Sequence, residues 1–327
     1  MSDLSTTYMG MKLKSPLVVA SSSLTKNISS LERLEAAGAG AVTIKSLFEE
    51  QILGDMDHLE QQSIPGWHTE AQEYIREVSK QMGVTQYFEV IRQAKQRLSI
   101  PVVASINCVS PGQWVDYARR MEEAGADALE LNIALMPVRV DQPGKALEKV
   151  YVDIVKAVKA KVSLPVAVKI GPYITNLFHL ANELVLEGVS GLVIFNRFYE
   201  IDVDIDDMRI VPGRPYSSPV EMHLPLRWIA LLANRVECDL AASTGVHSGA
   251  GVVKQLLAGA TVVQVCSVLF EKGPDYLKVL HRELEAWMQA HRFDSVDAFR
   301  GRLSQEQSDR PEQYTRLQYI RALVGIE

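Results

Sequence analysis

The sequence predicts a (β/α)₈ TIM barrel, because one short pattern recurs four times along the 327-residue chain. The pattern is a helix end with a glycine turn, followed at once by an apolar strand that finishes on a polar residue. Its copies end at Lys45, Asn132, Asn196 and Ser267. A second pattern, a strand led by proline, ends at Asn107 and recurs around Lys169. Each strand is followed by a segment long enough for a helix, as in a barrel of alternating strands and helices.

In chain order the predicted strands are PLVVASS, AVTIK, PVVASIN, ALELN, PVAVKI, GLVIFN, DLAASTGV and TVVQVCS. Continuously apolar strands of this kind are buried on both faces and pair in parallel. A glycine ends the helical segment before four of them, at Gly38, Gly125, Gly188 and Gly259. Glycine suits that position because a helix C-cap often needs a positive φ angle.

A polar side chain stands at the carboxyl end of every predicted strand. These residues are Ser21, Lys45, Asn107, Asn132, Lys169, Asn196, Ser243 and Ser267. In a (β/α)₈ barrel such residues meet at one mouth. The set contains two ammonium groups, three carboxamides and several hydroxyls but no carboxylate, which favours an electron-rich or anionic ligand.

Two insertions and a C-terminal extension are expected around a single domain spanning residues 1–327. Residues 49–83 form a long segment on the mouth side, typical of a lid or a dimer surface. Residues 197–223 contain alternating Ile, Val and Asp, which predicts a half-exposed strand pair rather than a calcium loop. Residues 274–327 are expected to form the last barrel helix and a C-terminal helical cap, including VDAFRGRL and YTRLQYIRALVG.

Composition argues against several classes of function. The net charge is −6 and no basic stripe occurs, which disfavours nucleic-acid binding. No apolar run reaches membrane length, so we expect a cytoplasmic protein. Cys108, Cys238 and Cys266 lack the paired spacing of a disulfide or metal site and are expected to be small buried residues.

The turn after the seventh strand and the end of the eighth predict a phosphate site. Ser243–Thr244–Gly245–Val246 and Cys266–Ser267 occupy the loops that commonly bind phosphate in such barrels. Lys169 and Lys45 then suit an electron-accepting ring lying across the mouth. FMN has such a phosphate and such a ring. A lysine near the pyrimidine end of the ring can stabilise the anionic reduced flavin.

From about Leu4 to Gly273 the ordered strand ends resemble those of the class 1 dihydroorotate dehydrogenases and of the FMN domain of dihydropyrimidine dehydrogenase. The resemblance implies FMN as the cofactor and suggests a homodimer. Including the end of the sixth strand, the expected cofactor contacts are Ala20, Ser21, Lys45, Ser46, Asn107, Asn132, Lys169, Asn196, Thr244, Gly245, Cys266 and Ser267. In that family the lysine of the second strand also faces the substrate.

The chain departs from the family in its substrate half. After Asn132 the sequence IALMPVRVD places Leu135 or Met136 where the family has a catalytic Cys or Ser, and neither side chain can accept a proton. Gly66 replaces an orotate-binding asparagine, and Arg197 replaces the Ser or Thr that follows the asparagine of strand six. We therefore expect an FMN-dependent oxidoreductase whose substrate is a small anion other than dihydroorotate, with an unidentified electron acceptor.

The candidate catalytic residues follow from these departures. Arg197 and Lys45 are expected to bind a substrate carboxylate, and His68 is expected to replace the missing base. Tyr199 and His223 are alternatives for that base. Two other functions remain open: a barrel that binds FMN or a phosphorylated ligand as an electron-relay or regulatory subunit, and an aldolase-type barrel that uses Lys169 as a Schiff-base amine.

Overall fold

The structure is a computed structural model that describes residues 2–48, 84–108, 111–198, 200–315, 320 and 324–325. The predicted lid or dimer surface at 49–83, with Gly66 and His68, lies outside the described residues, as does Tyr199. The features below are those of the described part of the chain.

The strands and helices alternate as the sequence predicts. The strands are β1 (Thr6–Tyr8), β2 (Met11–Leu13), β3 (Leu17–Val19), β4 (Ala41–Thr43), β5 (Leu47–Phe48), β6 (Val102–Asn107), β7 (Ala128–Ile133), β8 (Val166–Ile170), β9 (Gly191–Ile194), β10 (Ile201–Asp204), β11 (Arg209–Pro212), β12 (Asp239–Ala242) and β13 (Val262–Val265). The helices are α1 (Ile28–Ala36), α2 (Val84–Arg97), α3 (Pro111–Glu123), α4 (Gly144–Lys159), α5 (Leu177–Leu186), α6 (His223–Leu232), α7 (Gly249–Ala258), α8 (Ser267–Lys272) and α9 (Tyr276–Ala290).

Eight parallel strands close into a barrel, which confirms the predicted fold. The sheet runs β4-β3-β13-β12-β9-β8-β7-β6-β5, and the pairing of β4 with β6 closes the ring. The ninth strand, β5, is a two-residue continuation of the second predicted strand that pairs with the end of β6. All these pairings are parallel, as expected for strands buried on both faces.

The recurring glycine turns have the conformation that the sequence predicts. The φ angles of Gly38, Gly125, Gly188 and Gly259 are 105°, 95°, 89° and 117°. Residues with a Cβ rarely adopt such angles, so glycine lets each helix stop and the next strand begin without strain.

A hairpin that the sequence analysis did not predict lies at the bottom of the barrel. Strands β1 and β2 pair in antiparallel fashion around Met9 and Gly10, whose positive φ angles of 50° and 78° suit a tight hairpin turn. Tyr8 is buried there against a layer of small and β-branched residues that includes Ala128 and Ala167. The Asp239 carboxylate at the start of β12 accepts a hydrogen bond from the Met9 N–H at 2.6 Å, which fixes the hairpin to the barrel.

The two outlying segments differ in how well they were predicted. Residues 201–212 form the expected strand pair, β10 with β11, and its side chains are largely exposed. The C-terminal segment begins with helix α9, whose apolar face is buried. The stretch 296–303, however, forms successive turns rather than a helix, and Val296 and Phe299 are buried within it.

Two further expectations concern cysteines and membranes. Cys108 is buried, whereas Cys238 and Cys266 are only partly buried, so the prediction of three buried cysteines is wrong for two of them. Cys266 immediately follows a strand at the open mouth, which explains its exposure. Among the helices that the structure describes, none combines the length and apolar character needed to cross a membrane.

We predict that Asp239→Ala lowers the free energy of unfolding by about 1–3 kcal/mol, because it removes the acceptor for the Met9 amide and for the Thr261 hydroxyl at 3.0 Å. Chemical denaturation measures this. As a control, Asp153→Ala removes an exposed carboxylate paired with Lys149 and should cost under about 1 kcal/mol. Equal effects of the two substitutions would contradict the role of Asp239.

Candidate functional site

One cavity of about 580 Å³ opens at the carboxyl ends of the barrel strands. All eight polar strand-end residues line it: Ser21, Lys45, Asn107, Asn132, Lys169, Asn196, Ser243 and Ser267. Ala20, Ser46, Thr244, Gly245 and Cys266, the remaining predicted cofactor contacts, line it as well. The structure therefore brings the whole predicted set of cofactor contacts together.

A chain of buried polar side chains forms the floor of the cavity inside the barrel. Lys169 Nζ donates to Gln264 Oε1 at 3.3 Å, and Gln264 Nε2 donates to Glu130 Oε2 at 2.7 Å. The other carboxylate oxygen of Glu130 accepts from the Ser105 hydroxyl at 3.3 Å. Ser105 Oγ in turn lies 2.7 Å from Ser46 Oγ, which returns to the cavity surface. Each polar group is thus supplied with partners away from water, as buried polar groups require.

The charges on this floor do not balance. Among the residues that the structure describes, the buried Lys, Arg, Asp and Glu side chains are Lys45, Lys169 and Glu130, which are 3%, 7% and 1% exposed. Two of these three buried side chains are therefore cations and one is a carboxylate. A ligand that brings negative charge would reduce the cost of burying the second cation.

The predicted phosphate end is built from three loops. The Gly245 N–H donates to Ser217 Oγ at 3.3 Å, and both Ser217 N–H and Ser217 Oγ donate to Ser267 Oγ at 3.0 Å. Gly245 has a φ angle of 77°, and a Cβ there would collide with the backbone of Met222. Glycine at this position therefore lets the loop before α6 approach the turn after β12.

Behind Ser217 lies a histidine that is paired with a carboxylate. His247 Nε2 is 3.2 Å from Ser217 Oγ, and His247 Nδ1 is 3.3 Å from Glu271 Oε2. The His247 side chain is only 10% exposed, whereas Glu271 on α8 is 41% exposed. The ring thus connects a cavity hydroxyl to a carboxylate near the surface.

Amides and aromatic rings also line the cavity. Asn196 Nδ2 donates to Asn132 Oδ1 at 2.8 Å, which fixes the orientation of both carboxamides. Phe48, Phe198 and Ala134 belong to the same lining. These residues can bind a flat ligand that has both polar and apolar edges.

Arg197 lies at the cavity, but its guanidinium serves the protein itself. Its Nε donates to Glu221 at 2.7 Å, and its two terminal nitrogens donate to the carbonyls of Pro215 and Arg214 at 3.2 and 2.9 Å. The geometry therefore does not favour the expectation that Arg197 binds a substrate carboxylate with its two terminal nitrogens. Instead, Arg197 anchors the loop that carries Ser217.

The residues at the position of the missing base and the residues proposed to replace it do not form a cluster at the cavity in the described part of the chain. Leu135 packs against the core and does not line the cavity, whereas the preceding Ala134 does. Met136 is 47% exposed. His223 is an exposed residue at the start of α6 and is also absent from the cavity wall. The predicted His68 and Tyr199 lie outside the described residues.

Sequence analysis missed four residues that shape this site: Glu130, Gln264, Ser217 and His247. Glu130 and Gln264 could have been found, because each is a lone polar residue inside an otherwise apolar strand. Such a residue points into the barrel with the period-2 alternation of a strand. Ser217 and His247 carry no comparable signal, since they lie in loops far apart in the sequence.

The residues present fit FMN. The cavity volume lies within the range of about 300–1,000 Å³ usual for small-molecule sites. Hydroxyls and a glycine amide lie together at one end and can bind a phosphate. Lys169, held from below by Gln264, can face the pyrimidine edge of a flavin, and Asn107 and Asn132 can bind ring heteroatoms.

Comparisons with known proteins agree with this fit. A family model described as dihydroorotate dehydrogenase matches residues 3–288. The catalytic subunit of dihydroorotate dehydrogenase B (NAD(+)) from Thermoplasma volcanium is 26% identical over 310 residues, covering 92% of this chain and 98% of that protein. The same subunit from Thermoplasma acidophilum is 27% identical, covering 90% and 97%. The chloroplastic dihydropyrimidine dehydrogenase (NADP(+)) of Arabidopsis thaliana is 25% identical, covering 91% of this chain and 76% of that protein.

We predict a pH-dependent contribution of Glu221 to stability. Burial alone would raise the pKa of Glu221, but hydrogen bonds from Arg197 and Ser218 bring it below its ordinary value of 4.5. A lowered pKa in the folded state stabilises the protein above that range, and the stabilisation is lost as the pH falls through it. The Tm difference between the wild type and Glu221→Gln should therefore be largest near neutral pH and shrink below pH 4.5.

Thermal melts of both proteins between neutral pH and the acid range measure this difference. Glu123→Gln, which breaks an exposed pair with Arg119, is the control and should change Tm little at any pH. A Tm difference for Glu221→Gln that does not vary with pH would contradict the assignment.

Proposed function

The chain belongs to the dihydroorotate dehydrogenase family, and on this premise we propose that its substrate is a small anion other than dihydroorotate. As a member of that family it is an FMN-dependent oxidoreductase that acts on CH–CH bonds. The proposal concerns what the family does not fix: the substrate and the residues that bind it.

The observation that carries the proposal is the excess of buried positive charge at the cavity. Lys45 and Lys169 are both buried there, and Glu130 is the single buried carboxylate near them among the described residues. Lys169 is connected to Glu130 through Gln264, and Lys45 lines the same cavity. An anionic substrate and the phosphate of the cofactor both suit this potential.

The residues of the cofactor half have separable roles. FMN supplies the hydride acceptor or donor. Lys169 stabilises negative charge at the pyrimidine edge, because an ammonium beside a developing anion lowers its free energy most in a site shielded from water. Ser217 and Ser267 bind the phosphate, Gly245 allows the loops that carry them to approach each other, and Asn107 and Asn132 orient the ring.

The residues expected around the substrate support the proposal that the substrate is not dihydroorotate. Oxidation of a CH–CH bond by bound FMN would transfer a hydride to the cofactor and release a proton, and the proton requires a base. Along the described cavity wall there is no His, Asp or Glu, and Ala134 stands next to the position that the family uses for its base. Burial raises the pKa of Cys266, which keeps that thiol protonated and unsuited to this role. His68 therefore remains our proposed base.

The electron acceptor is proposed to be a separate protein or small molecule. Several relatives are named as catalytic subunits, which implies that those proteins act together with other subunits. A homodimer also remains a prediction, with the exposed β10–β11 hairpin as one surface available for contact. Family membership favours the flavin role of Lys169 over Schiff-base chemistry, and it favours an enzyme over a regulatory subunit.

We predict that the purified protein is yellow and that Lys169→Met lowers the flavin midpoint potential by about 30 mV or more. Loss of a charged hydrogen bond costs about 1.5 kcal/mol, which corresponds to about 30 mV for a two-electron couple. Spectroelectrochemical titration measures the potential. Lys156→Met, an exposed lysine on α4, is the control and should leave the potential unchanged. Colourless protein that takes up no FMN on titration would refute the cofactor assignment.

We predict that dihydroorotate reduces the bound flavin at least about 10²-fold more slowly than in family members with the Cys or Ser base. Anaerobic stopped-flow measurement of flavin bleaching gives the rate. Leu135→Cys should not restore the reaction, because Leu135 does not line the cavity. Ala134→Cys is the matched variant that places a thiol on the cavity wall. Rapid bleaching in the unmodified protein would show that dihydroorotate is a substrate.

A further inference from the structure

The Glu271–His247–Ser217 series lies directly behind the phosphate end of the cavity and has no role in the function described so far. Ser217 is 6% exposed and lines the cavity, whereas His247 is not part of its wall. His247 can therefore act on a ligand only through Ser217. Its two ring nitrogens face Ser217 Oγ at 3.2 Å and Glu271 Oε2 at 3.3 Å.

The direction of the Ser217 hydroxyl proton depends on the hydrogen bonds around this residue. Ser217 Oγ already accepts from the Gly245 N–H, and its hydroxyl donates to Ser267 Oγ at 3.0 Å on the wall of the same cavity. An ionised Glu271 carboxylate only accepts, so it favours a proton on His247 Nδ1. When Nε2 also carries a proton, it donates to Ser217 Oγ, and the Ser217 hydroxyl then points away from His247, toward Ser267 Oγ or a ligand in the cavity.

We propose that His247 is a positioning residue for a phosphate monoester: held by Glu271, it directs the Ser217 hydroxyl toward the phosphate of the flavin. This inference rests on the proposed function, because it assumes that the cavity binds FMN. It adds a specificity determinant, since the series would favour FMN over riboflavin, which lacks the phosphate. A charge-assisted series of this kind is stronger than a neutral one.

A nucleophilic role for Ser217 is less consistent with the geometry. A carboxylate, a histidine and a serine in this order can activate a serine for attack. Such chemistry also needs N–H donors aimed at the oxyanion of the substrate. The Gly245 N–H, the nearest such donor, is instead bonded to Ser217 Oγ itself. The arrangement therefore suits binding of an anion better than attack by the serine.

The test compares two flavins in the same protein. Holoprotein is stripped of flavin and titrated with FMN and with riboflavin, and binding is followed by quenching of flavin fluorescence. His247→Ala should weaken FMN binding about 10-fold and leave riboflavin binding unchanged, because the Ser217 hydroxyl is no longer oriented toward the phosphate. His247→Gln, which retains an N–H donor toward Ser217, should recover most of the loss.

Two further variants make the assignment specific. Ser217→Ala should reduce the preference for FMN, and the double variant Ser217→Ala/His247→Ala should be no worse than Ser217→Ala alone, because both act through one hydroxyl. His179→Ala removes an exposed histidine on α5 and is the matched control, with no change expected for either flavin. If His247→Ala fails to fold, the comparison of His247→Gln with Ser217→Ala carries the test.

The outcomes separate this inference from the proposed function. A wild type that binds neither flavin would overturn the proposed function and the inference with it. A wild type that prefers FMN, combined with equal losses of FMN and riboflavin in His247→Ala, would give His247 a purely structural role. Additive losses in the double variant would likewise overturn the inference, because the two residues would then act independently.

Discussion

The structure depends most on how the barrel accommodates charge in its interior. Lys45 and Lys169 are buried at the mouth and Glu130 beneath it, and burial of charged groups is tolerated only when hydrogen bonds and opposite charges replace water. Gln264 meets this requirement from across the barrel, since its amide accepts from Lys169 and donates to Glu130. The excess of positive charge among these three side chains is the basis of our proposal that the substrate is an anion.

The rest of the barrel makes this polar layer possible. Below it, small side chains such as Ala41, Ala128 and Ala241 leave space in the interior, and Tyr8 from the N-terminal hairpin packs against them. Burial raises the pKa of the Tyr8 phenol, and Glu130 raises it further, so the phenol remains neutral beneath the carboxylate. The apolar bottom thus keeps water from the charged layer and strengthens the interactions within it.

The two halves of the cavity are built in different ways. Strand ends provide most of the predicted cofactor contacts, and the register of the sheet fixes them, as where Asn132 stands opposite Lys169 on adjacent strands. The loop carrying Ser217 depends instead on Arg197, Glu221 and the tight approach permitted by Gly245. Sites on rigid strands are positioned more accurately than sites on loops, whereas loops tolerate replacement. This difference explains how a chain can retain the contacts for a flavin while altering the residues around a substrate.

The sequence by itself determined the barrel and the identity of the strand-end residues. Its signals were local: an apolar run and a terminal polar residue mark each of the eight strands, a glycine turn precedes four of them, and the parallel topology then brings all eight ends to one cavity. Tertiary structure alone decided what Arg197 binds, because Glu221 and the carbonyls of Arg214 and Pro215 reach it only after the loop folds back. It also decided that Ala134 rather than Leu135 lines the cavity and that 296–303 forms turns, since local sequence does not specify which side chains a neighbouring element covers. The meeting of Ser217, His247 and Glu271 likewise depends on packing between distant segments, which no local pattern encodes.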